Sequence, residues 1–255
     1  MKASYKKGLK IAAIVAGALM LVAVVVGILN AVIANGTWTF GWVDYRYGDD
    51  NYQIGAGTIP SNGITAIDVD WFDGEVTVIA CEDAYISLTE QSDKELSDGN
   101  QVHWSISEDG KTLSVKYRKS AWFFGLGKGM SKKLVLRVPE ALLPQLEQVT
   151  VHTKLANVSV RDIDADKLEI ESDGGNVAVR MRTPIREMDV ETETGSVVLY
   201  FGREASFTVA WETDRGKITS DYPTVQEGTL YKVGTGDARV NVETDRGDLL
   251  ITFYD

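Results

Sequence analysis

Apolar and polar positions alternate along most of this chain, and the alternation is broken at regular intervals by a short turn. The unit is an apolar residue, an acid or polar residue, a small hydroxyl, a turn ending in Gly, then two apolar residues at alternate positions. It reads Val190-Glu191-Thr192-Glu193-Thr194-Gly195 with Val197 and Leu199. It returns as Trp211-Glu212-Thr213-Asp214-Arg215-Gly216 with Ile218, and as Val242-Glu243-Thr244-Asp245-Arg246-Gly247 with Leu249 and Ile251. Ile170 to Gly175 with Val177 and Val179 is the same unit, while Val151 to Ala156 and Val69 to Gly74 are weaker copies. The turn residues Ala156, Gly175, Gly195 and Gly216 recur at a nearly constant interval. Period-two alternation marks strands, and a constant repeat of roughly 20 residues marks a stack in which each copy completes its core against its neighbours. The predicted fold is therefore all-β: a β-solenoid, a single-stranded β-helix-like stack of about 20-residue coils. An antiparallel β-sandwich, with each repeat paired to itself across its Gly turn, is the alternative.

Aligning the copies sorts their residues into columns. Val76, Val158, Val177, Val197, Ile218 and Leu249 share one, and Val78, Val160, Val179, Leu199, Ser220 and Ile251 share another. Strand side chains alternate between faces, so these columns line one interior wall. Thr153, Ser172, Thr192, Thr213 and Thr244 have inward parity, and their hydroxyls are expected to bond turn backbone. The Gly column is expected to supply the positive φ of a tight corner. Residues 82–140 leave the period, with strands near Tyr85–Thr89, Val102–Ser107, Leu113–Tyr117 and Leu134–Val138. Between Gly216 and Gly247 the spacing widens by about half a repeat, so a loop or hairpin is expected from Asp221 to Asp237.

The N-terminal segment follows a different logic. Between Ile11 and Ala34 only Asn30 is strongly polar. As a helix, this run would extend about 36 Å, enough to cross a bilayer core of about 30 Å. Lys2, Lys6, Lys7 and Lys10 precede it with no acid among them. That bias predicts a cytoplasmic tail (1–10), one transmembrane helix (11–34), a juxtamembrane linker (35–63) and an extracytoplasmic β-repeat domain (64–255). A cleaved signal peptide is the rival reading, but its apolar core runs only about 7–15 residues. The expected location is the cell membrane, single-pass, with the lipid bilayer as a partner through the helix.

Charge narrows the partners. With the four N-terminal lysines set aside, 22 basic and 37 acidic residues remain, a net of −15. This argues against nucleic acid and against adhesion to an anionic polymer by charge alone. The acids concentrate in two outward columns: Glu171, Glu191, Glu212 and Glu243, then Asp173, Glu193, Asp214 and Asp245. Stacked about 4.8 Å apart, such carboxylates repel, and a hard cation would relieve them. The calcium-binding nonapeptide repeat is absent, however, and Arg215 and Arg246 stand beside the acids. The expectation is a solvated face with no metal or other cofactor. The acids recur in every coil rather than marking one cleft, and His103 and His152 lie far apart, so the chain is read as non-catalytic. A polysaccharide-acting enzyme stays as a further alternative. Trp122-Phe123-Phe124, in a Gly-rich loop, is the apolar candidate, as an end cap or an exposed patch. The candidate interaction surface is thus Trp122, Phe123, Phe124, Glu191, Glu193, Glu212, Asp214, Glu243 and Asp245. Cys81 is the sole cysteine and excludes an intrachain disulfide.

Three features together resemble a known family: the Pro-closed strand Leu134 to Pro139, the Thr-x-x-Gly-x-Val-x-Val units, and the closing stretch from Gly234-Thr235-Gly236-Asp237 to Gly247-Asp248-Leu249. The chain resembles, over roughly residues 64–255, a bacterial adhesin-like domain family of β-strand repeats without an assigned function. Similar domains follow single N-terminal anchors in Firmicutes, and some sit beside envelope-stress signalling genes. The resemblance implies surface binding, adhesion or stress sensing with an envelope polymer or membrane-protein partner. It implies, alternatively, a structural or regulatory partner of a membrane signalling system. It carries over no catalytic residues.

Overall fold

The computed structural model describes residues 51–96, 98–117, 132–182, 185–227 and 230–254. The proposed anchor at 11–34, its basic tail and Trp122-Phe123-Phe124 lie outside the described residues. Among the described residues no helix is long and apolar enough to cross a membrane.

Strands follow one another almost without interruption: β1 (Gln53–Ile54), β2 (Gly57–Ile59), β3 (Ala66–Cys81), β4 (Ile86–Ser92), β5 (His103–Ile106), β6 (Thr112–Tyr117), β7 (Lys132–Pro139), β8 (Gln148–Arg161) and β9 (Lys167–Gly174). Then come β10 (Val177–Met181), β11 (Glu187–Thr194), β12 (Val197–Gly202), β13 (Phe207–Arg215), β14 (Ile218–Ser220), β15 (Val225–Glu227), β16 (Leu230–Val233), β17 (Ala238–Arg246) and β18 (Leu249–Tyr254). Among the described residues two short 3-10 turns intervene, at Asp98–Asn100 and Leu143–Gln145. Residues 53–59, read from the sequence as part of a linker, are largely strand: β1 pairs with β5 and β2 with β4, and Ile59 is fully buried.

Each coil gives one strand to each of two sheets, and the corner between them is the Gly turn. In the first sheet the order is β6, the first half of β3, the first half of β8, β9, β11, β17 and β13, all parallel. In the second it is β7, the second half of β3, the second half of β8, β10, β12, β18 and β14, again parallel. Residues one repeat apart are in register, so Val177 faces Val197 and Val158. This parallel pairing excludes the antiparallel sandwich. Among the described residues, antiparallel strands occur at the two ends of the stack: β5 on β6 and β4 on β7 at one, β16 on β13 at the other. The hairpin expected between 221 and 237 is β15–β16.

Coil order departs from sequence order in two places. The segment carrying β6 and β7 stacks outside β3, so β8 returns to lie directly on β3. The last coil, β17–β18, slides between β11–β12 and β13–β14. Val197 therefore stacks on Leu249, and Leu249 on Ile218; Val197 and Ile218 are not neighbours as a sequential stack would make them.

The interior is mostly apolar, with a buried hydroxyl column at the corner and Lys132 at one end. Val76, Val158, Val177, Val197 and Leu249 are buried, as are Ile67, Val149, Leu168, Met188 and Val240 across from them. A fully buried Val or Leu contributes roughly 1.5–3 kcal/mol, and the columns repeat that contribution at every rung. The hydroxyl column lies at the corner. Thr153 donates to Ser172 Oγ at 2.9 Å; Thr244 lies 3.2 Å from both Thr213 Oγ1 and the Gly247 carbonyl. Neighbouring hydroxyls as well as turn backbone therefore satisfy the column, except Thr192 Oγ1, which is buried with no hydrogen-bond partner among the described residues.

Part of the Gly column supplies the expected positive φ, and part does a different job. Gly74 and Gly175 have φ of 98° and 134°, but Gly195, Gly216 and Gly247 do not need positive φ. They are glycines because the corners stack in backbone contact. A Cβ on Gly195 would lie 2.0 Å from the Gly175 carbonyl oxygen, one on Gly247 1.8 Å from that of Gly195, and one on Gly216 1.9 Å from that of Gly247. Ala156 fits in the same column, paired with Gly74 inside the unbroken strand β8.

Candidate interaction faces

Two broad faces remain once the interior is filled, one on the outside of each sheet. On the first sheet the register assembles Lys116, Asp70, His152, Glu171, Glu191, Glu243 and Glu212 into one row across seven strands. The expected column of Glu171, Glu191, Glu212 and Glu243 is real, with Glu243 between Glu191 and Glu212. All four are exposed, and so are Glu193, Asp214 and Asp245 nearby.

Part of this charge is compensated within the sheet. His152 Nδ1 lies 2.7 Å from Glu171, Lys154 pairs with Asp173, and Lys167 reaches Glu169 at 3.2 Å and Asp189 at 3.3 Å. Asn241 donates to Asp189 at 2.6 Å. Glu191, Glu243 and Glu212 have no basic ion-pair partner within 4 Å among the described residues. The carboxyl of Glu191 is pushed above the usual glutamate range, first by desolvation and then by Glu243, Glu171, Asp245 and Glu193. Arg215 and Arg246 pair in register with each other rather than with these acids. Among the described residues no group of three or more His, Cys, Asp or Glu is placed to hold a metal ion.

The second face was missed by sequence reasoning. Its register aligns Arg137, Ile79, Arg161, Arg180, Tyr200 and Thr252. A parallel row of Val135, Thr77, Ser159, Ala178, Val198, Leu250 and Thr219 lies beside it, small and uncharged. Arg180 pairs with Asp162 at 2.8 Å and lies over the Tyr254 ring at 5.4 Å; Arg137 and Arg161 have no carboxylate within 4 Å among the described residues. The signal was present: the residue after each second core Val in Val158-Ser159-Val160-Arg161 and Val177-Ala178-Val179-Arg180 has outward parity. Only the inward columns of that strand were read. An open depression of about 580 Å³ adjoins this face, lined in part by Asp162, Arg180, Arg182 and Tyr254.

The ends of the stack are plugged differently. At one, Trp71 and Tyr117 replace the hydroxyl column, their rings 4.9 Å apart. Lys132 is buried against them, 3.5 Å from the Tyr117 ring centroid, paired with Glu90 and donating to the Asn100 carbonyl. Glu90 also accepts the Val102 backbone N–H. Desolvation drives the Lys132 ammonium below the usual lysine range, against the pull of Glu90. At the other end Tyr222 packs edge-on against Phe207 and Phe253, its hydroxyl 2.9 and 2.8 Å from the carbonyls of Phe201 and Gly202. Burial pushes that phenol up to about 12.

Comparison with known proteins adds three findings. The sequence profile described as Toastrack DUF4097 matches residues 64–199 and 144–252, two overlapping stretches. No curated protein matches the chain. Among solved structures, a candidate cell adhesion protein from Clostridium sporogenes ATCC 15579 is 11% identical, covers 80% of this chain and 100% of its own, and superposes with a TM-score of 0.63. Candidate adhesins from Bacteroides fragilis NCTC 9343 and Parabacteroides merdae ATCC 43184 are 12% and 10% identical. They cover 81% and 82% of this chain and 98% of their own lengths, with TM-scores of 0.32 and 0.29.

Proposed function

The chain belongs to the Toastrack DUF4097 family, and on that premise we propose that it is a membrane-anchored cell-envelope protein whose external β-repeat domain binds a surface partner without catalysis. One observation carries the reading: the stack presents two faces of in-register outward rows, one acidic and one bearing arginines and tyrosine. Repeat stacks use such extended surfaces for binding. The basic tail and apolar run at 11–34 support an anchor with the repeats outside. The adhesion name of the Clostridium sporogenes protein belongs to that protein; its extension to this chain is part of the proposal.

Protease added to intact protoplasts should remove the repeat domain and leave the anchor. Protection of that domain, or a mature N-terminus near Asn35, overturns the topology. Immobilised protein should then retain either wall polymer or a membrane protein. Retention of a signalling-system membrane protein alone selects the regulatory role over adhesion, and turnover of a polysaccharide overturns the non-catalytic reading.

A further inference from the structure

The two outer faces carry opposite charge that each sheet compensates only in part. On the first sheet Glu191, Glu243 and Glu212 occupy three consecutive strands with no ion-pair partner among the described residues. On the second sheet Arg137 and Arg161 likewise have no ion-pair partner among the described residues, and Arg180, adjacent to Arg161, is paired with Asp162. Both rows run across the strands, so both share the rung spacing of about 4.8 Å. We propose that each face is the docking surface for the other, the arginine row of one copy seating on the glutamate row of a second copy of this chain.

Three features favour a second copy over a free polyanion. The whole chain is strongly acidic, at −11, and repels a polyanion over any distance that salt does not screen. The row beside the arginines is half-buried and small, with Val135, Ala178, Val198 and Leu250, which suits a flat protein face rather than a flexible charged polymer. A polyanion on the second face would also leave the glutamate row uncompensated, whereas face-to-face stacking neutralises both. Arginine is suited to this role because its fork engages a carboxylate through two hydrogen bonds and is weakly hydrated. Five or six rungs by three or four outward positions give roughly 500–800 Å² per partner, at or below the standard size of a specific interface. The association is therefore weak, and copies arrayed on one surface would reinforce it. Because the two patches differ, the contact is heterologous and extends into runs rather than closing as a dimer. The inference does not depend on where the protein resides.

The test is sedimentation velocity of the full chain in mild detergent, at concentrations up to roughly 0.3 mM and at about 50 and 500 mM NaCl. Wild type should form oligomers that grow with concentration at low salt and dissociate at high salt. One variant carries Arg137→Glu, Arg161→Glu and Arg180→Glu; another carries Glu191→Lys, Glu212→Lys and Glu243→Lys. Each alone should stay monomeric, and their mixture should associate at least about tenfold more tightly than either. That rescue requires both variants to be folded. The single substitutions Arg161→Gln and Glu191→Gln, which reverse no charge, should each weaken association of the wild-type sequence. A monomeric wild type at low salt, salt-independent oligomers held by the anchor, or variants that fail to rescue each other would overturn the proposal. Inorganic polyphosphate binding to the arginine row without self-association would assign that face to a polyanion instead.

Discussion

Replacing Gly247 by Ala tests the coil order more sharply than any core substitution. Its new Cβ would meet the Gly195 carbonyl oxygen at 1.8 Å. A carbon and an oxygen settle near roughly 3.5 Å, so the corner must open by well over an ångström. Gly247 cannot retreat, because its coil is held on both sides: Gly195 N–H donates to Arg246 O at 3.1 Å, and Gly247 N–H to Arg215 O at 3.1 Å. Losing those two rungs costs about 1 kcal/mol each, and overpacking adds about 1–3 kcal/mol. The expected loss is about 3–5 kcal/mol. Gly216→Ala makes a clash of similar depth, 1.9 Å from the Gly247 oxygen. Its coil, however, is the outer one and can shift away, so about 1–2 kcal/mol is expected. Gly99→Ala, with nothing within 4 Å of its Cβ, is the control and should lie within about 0.5 kcal/mol of wild type. Urea unfolding of the full chain in detergent, followed by circular dichroism, measures all three. A stack in sequence order would put Gly216 inside and Gly247 outside and reverse the ranking of the first two. That reversal, or equal losses, would refute the interleaved arrangement.

Lys132→Met should cost about 3–5 kcal/mol by stranding Glu90, whereas Lys132→Met with Glu90→Leu should recover most of that loss in the same unfolding assay; a double variant as unstable as the single would mean that the pair itself stabilises the plug. Glu191→Gln should raise stability at neutral pH by a few tenths of a kcal/mol, the scale of a like-charge cross-strand contact. The folded-state pKa of Glu191 is raised, so the folded chain binds its proton more tightly than the unfolded chain does. Its destabilising effect is absent below the ordinary glutamate range and complete above the raised value, and melting curves across pH should show the variant's advantage vanish in acid. Val197→Asp should cost several kcal/mol, because it places an unpaired charge in a fully buried column. Exposed Glu193→Ala should stay within about 0.5 kcal/mol of wild type; equal tolerance of the two in thermal melts would contradict the assignment of faces.

What the sequence revealed depended on whether the information was local. Val177, Val197 and Leu249 declare their inward parity by alternation alone, because a strand cannot turn one side chain without turning its neighbours. The acidic row was legible for the same reason. Coil order was not, since Ile218 and Leu249 carry the same apolar signature and either can follow Val197 by pattern. Only the ladder decides, and it puts Leu249 next. The φ argument holds at Gly74 and Gly175 but not at Gly195, Gly216 and Gly247, because it is local, whereas the contact between Gly247 and Gly195 joins coils far apart along the chain. Lys132 shares the inward parity of Leu134 and Leu136, but the sequence shows no partner that would let an ammonium be buried there. Its burial depends on Trp71, Tyr117 and Glu90 converging from three other strands.

The interleaving has a physical consequence for how the stack ends. A terminal coil leaves one edge of each sheet unpaired, and unpaired edges fray or recruit other strands. If coils stacked in sequence order, β17 and β18 would form that edge, and the hairpin β15–β16 would lie between coils instead of at the end. Instead they lie between β11–β12 and β13–β14, with ladder partners on both sides. The outer position goes to the coil of β13 and β14, which is followed by the hairpin β15–β16 that folds back onto β13. The opposite end repeats the arrangement: β3 is inside, and the outer strands β6 and β7 are covered by β5 and β4 running antiparallel. Reaching past a neighbouring coil lengthens the connection, but loop closure costs only about 0.6 kcal/mol for each doubling in length. Against that stand at least two rungs of backbone hydrogen bonds at each end, about 1 kcal/mol apiece. The balance favours an outer coil that carries its own antiparallel cap.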